Sequence, residues 1–222
     1  AELEGKQIVF LPRHSYKHNI PPHRVNYRAN IWALKHLGAK RIIAVNAVGG
    51  INTEYSPGDI VIADQIIDLS RSRVSTFFED DDVVHVDFTE PFCPEMRAVW
   101  TAPAFKNRYN LHPSGTYVCT EGPRLETAAE ISYMRLIGGD MVGMTGMPEA
   151  VLAREQELCY LMIAVITNPA AGLTTNRLTT TEVLETMKRS NERVKQMIVE
   201  GLSELPSERR CPCKDALKEA RL

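Results

Sequence analysis

The residues of this chain that could do chemistry stand in short polar strings after apolar, strand-like runs. Asn168 and Pro169 follow the run 161–167, and Arg13 and His14 follow the run 7–11. Side chains at such strand ends lie at the rim of a sheet, where α/β proteins usually bind ligands. An arginine beside a histidine there predicts an oxyanion clamp, for which a surface ion pair is the alternative. The Asn168 amide can donate one hydrogen bond and accept another.

Three further loops join a strand-like run to a predicted helix. The loop 46–50 offers backbone amides without bulky side chains, but it lacks the P-loop pattern, and a tight turn fits equally well. In the loop 143–149, the Thr145 hydroxyl can cap a helix or bind phosphate, and the residues alone favour capping. The charges of the loop 121–124 are more typical of a solvated ion pair than of a binding site.

The residues predict no metal site and no protein nucleophile. The six histidines lack ligand spacing, and the sequence has neither a serine nucleophile elbow nor a Cys–His pairing signal. The five cysteines are odd in number and scattered, unlike a secreted disulfide scaffold. The Cys-Pro-Cys motif at Cys211 and Cys213 leaves a metal half-site, a redox pair and a disulfide component as alternatives. Zinc is the weaker interpretation without further clustered ligands.

Composition excludes several classes of protein. The 222 residues are 44% hydrophobic and 24% charged, which suits one ordinary globular α/β domain. A net charge of −2 gives no support for nucleic acid as the main partner. No apolar run reaches membrane-spanning length, and the first residues do not form a signal peptide, so we expect a cytoplasmic protein.

The elements that must position these strings alternate between strand-like and helical patterns. Strands are predicted at about 7–11, 41–45, 59–63, 117–119, 140–143 and 159–167, and helices at about 27–37, 124–137, 148–157 and 179–205. This alternation predicts an α/β fold with a mainly parallel sheet. We assign residues 1–205 to one domain and residues 206–222 to a polar, loosely ordered tail.

Six longer strings follow one another along the chain: Leu11–His14, Val25–Leu34, Pro57–Ile62, Glu90–Cys93, Thr120–Arg124 and Met144–Glu149. Together they resemble the purine nucleoside phosphorylase family, in its 5'-methylthioadenosine phosphorylase branch. The resemblance covers about residues 7 to 204. It implies a single-domain mixed sheet flanked by helices. It also implies a homotrimer, with a dimer of trimers as the alternative, whose sites lie near subunit boundaries.

The resemblance also implies roles for individual residues. The phosphate ligands would be Arg13, His14, the Ala47 backbone amide and the Thr145 hydroxyl. Met144 would pack under the ribose, and Leu125 would replace an aromatic residue that packs on the base. The wall around the 5' substituent would comprise Thr180, Val183 and Leu184, with His85 donated by the neighbouring subunit. Ordinary helix packing is the alternative for this wall, and for Leu184 it is at least as well supported.

Phosphorolysis of a nucleoside explains why such a site needs neither nucleophile nor cofactor. The sugar becomes cationic and the leaving purine anionic as the N-glycosidic bond breaks. A clamped phosphate, which is a co-substrate, and a hydrogen-bond donor at the base are the groups required.

Two residues predict which purine is accepted. Asn168 and Ala170 stand where adenosine-type members of the family carry aspartates. An asparagine can donate to a 6-oxo group, whereas a carboxylate only accepts, and a buried mismatch costs about 1–3 kcal/mol. We therefore favour 6-oxopurine nucleosides, with 5'-methylthioinosine first and inosine or guanosine as alternatives. An ordinary methylthioadenosine phosphorylase and an inactive nucleoside-binding homologue are the competing interpretations.

The sequence departs from the family at both ends. The family's usual first strand and glycine-rich phosphate loop have no counterpart, so we expect a sheet without one inner strand and a phosphate site without one wall. The Cys-Pro-Cys motif at residues 211–213 resembles a tail of some heat-loving archaeal members, where it joins disulfides. Reduced thiols in a flexible tail are the alternative.

Overall fold

The structure, a computed structural model, describes residues 1–79, 82–175 and 178–222. The strands are β1 (Glu2–Leu3), β2 (Lys6–Gln7), β3 (Arg41–Gly50), β4 (Ile60–Ile62), β5 (Gln65–Asp68), β6 (Leu111–His112), β7 (Thr116–Cys119), β8 (Met141–Gly143) and β9 (Cys159–Pro169). The α-helices are α1 (Tyr27–His36), α2 (Pro94–Trp100), α3 (Pro103–Tyr109), α4 (Ala128–Leu136), α5 (Glu149–Glu155) and α6 (Thr180–Glu204). Two 3-10 helices span Pro22–Arg24 and Pro212–Asp215.

A mixed, mainly parallel sheet organises the molecule. Its seven strands follow the order β5-β7-β8-β3-β9-β4-β6. The long central strands β3 and β9 are parallel, whereas β8 lies antiparallel to β3, and β4 lies antiparallel to β9. The α/β class and the mainly parallel sheet predicted from the alternation are therefore confirmed. Among the described residues, no helix is both long and apolar enough to cross a membrane.

Strand β9 is buried on both faces and separates two parts of the core. Its even-numbered side chains from Tyr160 to Ile166 pack with residues of α1 and α5. Its odd-numbered side chains from Cys159 to Val165 pack with residues of α2 and α6. A strand that is covered on both faces has a continuous apolar sequence, which explains why this element was predictable from sequence.

The pairing of β3 with β9 changes register at the polar end of the sheet. Val48 pairs with Ile166, but Gly49 pairs with Asn168, so Thr167 is an extra residue in β9. Such a bulge changes the direction of the side chains beyond it. The last residues of β9 thus leave the two-sided core and form a rim.

The strand predicted over residues 7–11 is wrong. The chain instead forms a β1–β2 hairpin that ends at Gln7, and Phe10 is 79% exposed. An apolar run makes a strand only where a partner supplies hydrogen bonds, and no strand of the described chain pairs with residues 8–11. Along β3, the edge facing away from β9 is likewise unpaired from residue 41 to residue 48 within the described chain.

The C-terminal residues pack against the domain rather than hanging loosely. Cys211 and Cys213 are buried in the same part of the core as α2 and α6. Further on, Arg221 forms a β-bridge with Val84, and the His85 amide donates to the Ala220 carbonyl at 2.8 Å. The expectation of a loosely ordered tail is therefore wrong for this segment, because its apolar and sulfur side chains find a buried environment.

Candidate functional site

Arg13 is held by a buried carboxylate at the edge of β3. Its Nε and Nη2 donate to the two Glu149 carboxylate oxygens at 3.1 and 2.6 Å, and its Nη1 donates to the Val45 carbonyl at 3.1 Å. Glu149 also accepts from the Tyr160 hydroxyl at 2.8 Å. Burial lowers the pKa of Arg13, but the negative charge of Glu149 outweighs that and raises it. The guanidinium is therefore a fixed cation at the sheet edge, in an ion pair whose side chains are 16% and 6% exposed.

His14 lies beside Arg13 and is fixed through one ring nitrogen. Its Nδ1 lies 2.7 Å from the Ile20 carbonyl oxygen, so Nδ1 carries the proton and donates. Burial lowers the pKa of His14, although the bond to Ile20 raises it in part. The ring is consequently neutral near pH 7, and its Nε2 is an acceptor that a protonated oxyanion could donate to.

Thr145 lies against β3 through a side-chain hydrogen bond. The Asn46 Nδ2 donates to the Thr145 hydroxyl oxygen at 2.8 Å, and the Thr145 amide donates to the Tyr117 hydroxyl at 3.1 Å. Because the Thr145 oxygen accepts from Asn46, its hydrogen is available to a ligand. Ala47, the next residue of β3, is exposed. The structure thus brings Thr145, Asn46 and Ala47 together on the strand whose Val45 carbonyl holds Arg13.

Arg73 braces the loops that carry Met144 and the residues after β7. Its guanidinium donates to the carbonyls of Met144, Met147, Thr120 and Glu121 at 2.7, 2.5, 3.2 and 2.7 Å. The side chain is only 4% exposed and also lies 3.5 Å from the Glu121 carboxylate. Four backbone acceptors of two separate loops therefore depend on one side chain.

The Asn168 side chain at the rim can form more hydrogen bonds than it makes within the chain. Its Oδ1 accepts from the Thr167 hydroxyl and its Nδ2 donates to the Pro169 carbonyl, each at 2.8 Å. An amide has two hydrogens and two lone pairs, so one donor and one acceptor position remain. Gly49 is its neighbour across the ladder, and a Cβ there would be in ordinary contact with Nδ2 at 3.5 Å. Ala170 is buried in an apolar cluster and offers no polar group.

The structure shows the remaining predicted residues without a described polar contact to this group. Leu125 and Leu184 are 48% and 64% exposed, Thr180 is exposed, and Val183 is half-buried near the start of α6. His85 is exposed and lines a different cavity, of about 420 Å³, which Thr76 and Glu155 also line. No hydrogen bond or ion pair between described residues joins these five to Arg13, Thr145 or Asn168. The structure therefore leaves their predicted roles as predictions.

Four cysteines do converge, although the sequence presented them as scattered. The Sγ atoms of Cys93, Cys159, Cys211 and Cys213 lie within 4.8 Å of one another, and all four residues are buried. The further ligands that the Cys-Pro-Cys motif lacked in sequence are thus supplied by the fold. Sequence spacing missed them because Cys93 and Cys159 come from separate elements.

Comparison with known proteins assigns the chain to a family. A family model described as the phosphorylase superfamily matches residues 2–203. The chain belongs to the phosphorylase superfamily. The 6-oxopurine nucleoside phosphorylase of Pyrococcus furiosus is 53% identical over 222 residues, covering 97% of this chain and 84% of that protein. A protein of Thermodesulfovibrio yellowstonii, named probable S-methyl-5'-thioinosine phosphorylase, is 50% identical, covering 99% of this chain and 83% of that protein.

A solved structure supports the same assignment. The crystal structure of a methylthioadenosine phosphorylase from an Antarctic soil metagenomic library superposes with a TM-score of 0.92 at 36% identity. The match covers 100% of this chain and 79% of that one. The mixed-sheet phosphorylase fold implied by the resemblance is therefore confirmed.

Sequence reasoning missed two residues that position this phosphorylase's site. Glu149 was present in the string 143–149, but its partner Arg13 is 136 residues away. Arg73 stands in a segment without periodicity. Arg73 follows Arg71 by two residues, and nothing in the residue types or their spacing separates the two arginines or identifies the acceptors of Arg73.

Proposed function

We propose that this phosphorylase cleaves the N-glycosidic bond of a 6-oxopurine nucleoside with inorganic phosphate, releasing the base and a ribose 1-phosphate. The observation that carries the proposal is the Asn168 amide at the rim, with one donor and one acceptor position left. The names of the Pyrococcus furiosus and Thermodesulfovibrio yellowstonii relatives support the same substrate class. The preferred substrate is 5'-methylthioinosine, with inosine and guanosine as alternatives.

Phosphate would bind at the edge of β3. The buried Arg13 cation, the Thr145 hydroxyl and the Ala47 amide are the donors, and the neutral His14 Nε2 accepts from a protonated phosphate oxygen. A fixed anion on one side of the sugar stabilises the positive charge that develops there as the bond to the base breaks. Because Arg13 is already oriented by Glu149, little reorganisation is needed when the phosphate arrives.

The purine would meet Asn168 at its 6-position and N7. The amide donates to the 6-oxo oxygen and its oxygen accepts from a proton at N7, so negative charge leaving with the base is stabilised. A 6-amino group would place a donor against the Asn168 donor. Ala170 adds no carboxylate to accept from that amino group.

The 5' side of the substrate is the least defined part of the proposal. Thr180, Val183 and Leu184 are proposed to form a largely apolar wall for a methylthio group. His85 is proposed to enter this pocket from a neighbouring subunit in a homotrimer. Exposed apolar side chains support assembly, among them Trp32, Leu37, Tyr133, Leu136 and Ile137. A cytoplasmic location is part of the same proposal.

The decisive experiment compares phosphate-dependent base release from four nucleosides. We expect 5'-methylthioinosine to be cleaved with the highest kcat/KM and 5'-methylthioadenosine to be cleaved poorly. Asn168→Asp should shift the kcat/KM ratio toward the 6-amino substrate by about tenfold or more, since a buried polar mismatch costs about 1–3 kcal/mol. Asn110→Asp makes the same chemical change at an exposed residue after α3 and should leave the ratio unchanged.

Two results would overturn the proposal in different ways. A wild-type preference for 5'-methylthioadenosine would support the function named for the Antarctic relative and refute our account of the base. Base release that does not depend on phosphate, or binding without turnover, would refute phosphorolysis itself.

A further inference from the structure

Four of the five cysteines form one buried group, here named the four-cysteine cluster. Cys93 precedes α2, Cys159 is the first residue of β9, and Cys211 and Cys213 flank the start of the last 3-10 helix. The exposed fractions of these four residues are 1%, 0%, 6% and 2%. The fifth cysteine, Cys119, lies elsewhere, where its sulfur accepts from the Met147 amide. The group thus joins three distant parts of the chain.

We propose that the four-cysteine cluster binds one zinc ion through four thiolates. Zinc holds four sulfurs at about 2.3 Å in a tetrahedron, whose edges then measure about 3.8 Å. The observed separations fit that geometry, because the Cys159 and Cys211 sulfurs lie 3.3 Å apart and no pair exceeds 4.8 Å. Binding breaks four S–H bonds, forms four Zn–S bonds and releases four protons to solvent. Nothing is oxidised or reduced.

The mutual approach of all four sulfurs favours a shared ion over two disulfides. A disulfide brings two sulfurs to about 2.05 Å but places no demand on the distance to a second pair. Here every sulfur is near the other three, which is the arrangement that a metal ion at their centre requires. The two-residue spacing within the tail supplies two ligands from one turn, and the start of β9 and the residue before α2 supply the rest.

The closeness of the four sulfurs also favours a cation at their centre. Ionising all four thiols would place four like charges within 4.8 Å of one another. A divalent ion compensates the charge that each thiolate adds.

Arg41 connects the segments that carry the cluster. It pairs with Cys159 in the β3–β9 ladder. Its guanidinium donates to the Glu95 carboxylate, two residues after Cys93, at 2.8 Å, and to the Ser207 and Glu208 carbonyls that precede the tail ligands. Such outer contacts hold the backbone beside metal ligands in place.

The bound ion would fasten the C-terminal tail to the core rather than take part in turnover. Cys159 and Asn168 stand at opposite ends of β9, nine residue steps or about 30 Å apart. Loss of the ion should therefore reduce stability and leave the substrate preference of the residual folded enzyme unchanged. This outcome is independent of whether the proposed phosphorolysis is correct.

The test begins with the full chain purified under reducing conditions, without chelator, from a zinc-supplemented culture. We expect one zinc per chain by elemental analysis, released when a mercurial reagent titrates the thiols. Cobalt replacing zinc should give the visible d–d bands and near-ultraviolet sulfur-to-metal bands of a tetrahedral thiolate site. Removing zinc with a chelator should lower the midpoint of thermal unfolding, and adding zinc should restore it.

Matched variants locate the site. Cys213→Ser should lose the bound zinc and the tetrahedral cobalt spectrum, whereas Cys119→Ser should keep both. If Cys213→Ser does not fold, thiol alkylation of denatured wild-type protein decides the question. Four alkylated cluster thiols after zinc release support the proposal. Two disulfides without zinc, or a reduced cluster that takes up neither zinc nor cobalt, would refute it.

Discussion

At the scale of single residues, the site depends on buried partners that orient the groups facing a ligand. Arg13 contacts Glu149 through both carboxylate oxygens, and Tyr160 donates to the same carboxylate. A guanidinium with five donors keeps further N–H groups for a second anion while it is held in this way. Under the proposed function, Glu149 is thus a positioning residue that would act on phosphate only through Arg13.

Replacing this carboxylate should weaken phosphate binding more than it slows the chemical step. In Glu149→Gln, one side-chain oxygen remains and the charge is lost, so Arg13 is no longer oriented by two charge-assisted bonds. We expect the KM for phosphate to rise about tenfold or more, since such a bond contributes about 1.5–3 kcal/mol. Steady-state kinetics with varied phosphate measure this.

Glu155→Gln is the matched control, because Glu155 is a buried glutamate at the other end of α5. It accepts from Thr76 and from the Phe77 amide, and makes no described contact with Arg13. This variant should lose stability but keep the wild-type KM for phosphate. An unchanged KM in Glu149→Gln would contradict the role assigned to Glu149.

His14 should make the folded protein sensitive to mild acid. Burial lowers its folded-state pKa below the ordinary value of 6.5, so the unfolded chain binds more protons once the pH falls below 6.5. Stability is lost as the pH falls from 6.5 through the lower folded pKa, and it is retained above 6.5. Urea unfolding from about pH 8 to about pH 5 should show a smaller loss for His14→Gln than for wild type. Equal losses would show that His14 does not contribute.

At the scale of elements, the loops at the rim are held by side chains from outside the regular elements. Arg73 reaches backbone carbonyls after β7 and after β8, in the two loops that carry the 120–127 segment and Met144. These loops end in buried positions where carbonyls need donors. A segment without secondary structure thus determines the position of two loops of the site.

Arg73→Lys should therefore disturb both loops at once. An ammonium is compact and cannot reach the same four carbonyls in a planar arrangement. We expect a loss of about 2–3 kcal/mol in the free energy of unfolding from unsatisfied buried carbonyls, with a higher KM for the nucleoside. Denaturant unfolding and steady-state kinetics measure the two effects. Arg28→Lys, at an exposed ion pair with Glu79, should change neither by a comparable amount.

Long elements were predictable from sequence, whereas short ones and distant pairings were not. Strand β9 and helix α6 have sustained patterns, and Thr179 begins α6 by accepting from the Glu182 amide. Helices α2 and α3 are seven residues each and have no side-chain cap, so only a proline at each start signalled them. The strand predicted at 7–11 was wrong because apolar content does not specify a partner strand.

In the candidate site, too, local features were predictable from sequence and distant pairings were not. The rim positions of Thr145 and Asn168 were predictable because loops after buried strands meet at one edge of a sheet. The bond between Asn46 and Thr145, the pairing of Glu149 with Arg13 and the four-cysteine cluster were not. Each joins residues far apart in sequence, and one chain without relatives carries no local signal for such contacts.

At the scale of the whole molecule, the C-terminal end secures a surface segment that carries His85. The Leu222 amide donates to the Val83 carbonyl, and Arg221 pairs with Asp82 at 2.7 Å. These contacts join the last residues to a stretch without regular secondary structure. The chain end therefore influences a residue proposed to serve a neighbouring subunit.

Deleting residues 218–222 should expose this surface segment without unfolding the domain. The His85 amide loses its acceptor, and the bridge between Val84 and Arg221 is removed. We expect faster cleavage between residues 83 and 86 in limited proteolysis mapped by mass spectrometry. Leu222→Ser keeps the backbone contacts and changes a side chain that is 94% exposed, so it should be cleaved as slowly as wild type. Equal cleavage of the deletion variant would contradict this account.

The extra residue in β9 has a consequence for how such a protein could change substrate. Side chains alternate along a strand, so inserting one residue within residues 159–166 would turn the side chains beyond it to the opposite face of the sheet. Thr167 is the extra residue, so the change in side-chain direction affects only the end of β9 from Asn168 onward, where Asn168 pairs with Gly49. Under the proposed function, substitutions at residues 168 and 170 would therefore change the base that is accepted while residues 159–166 keep their packing.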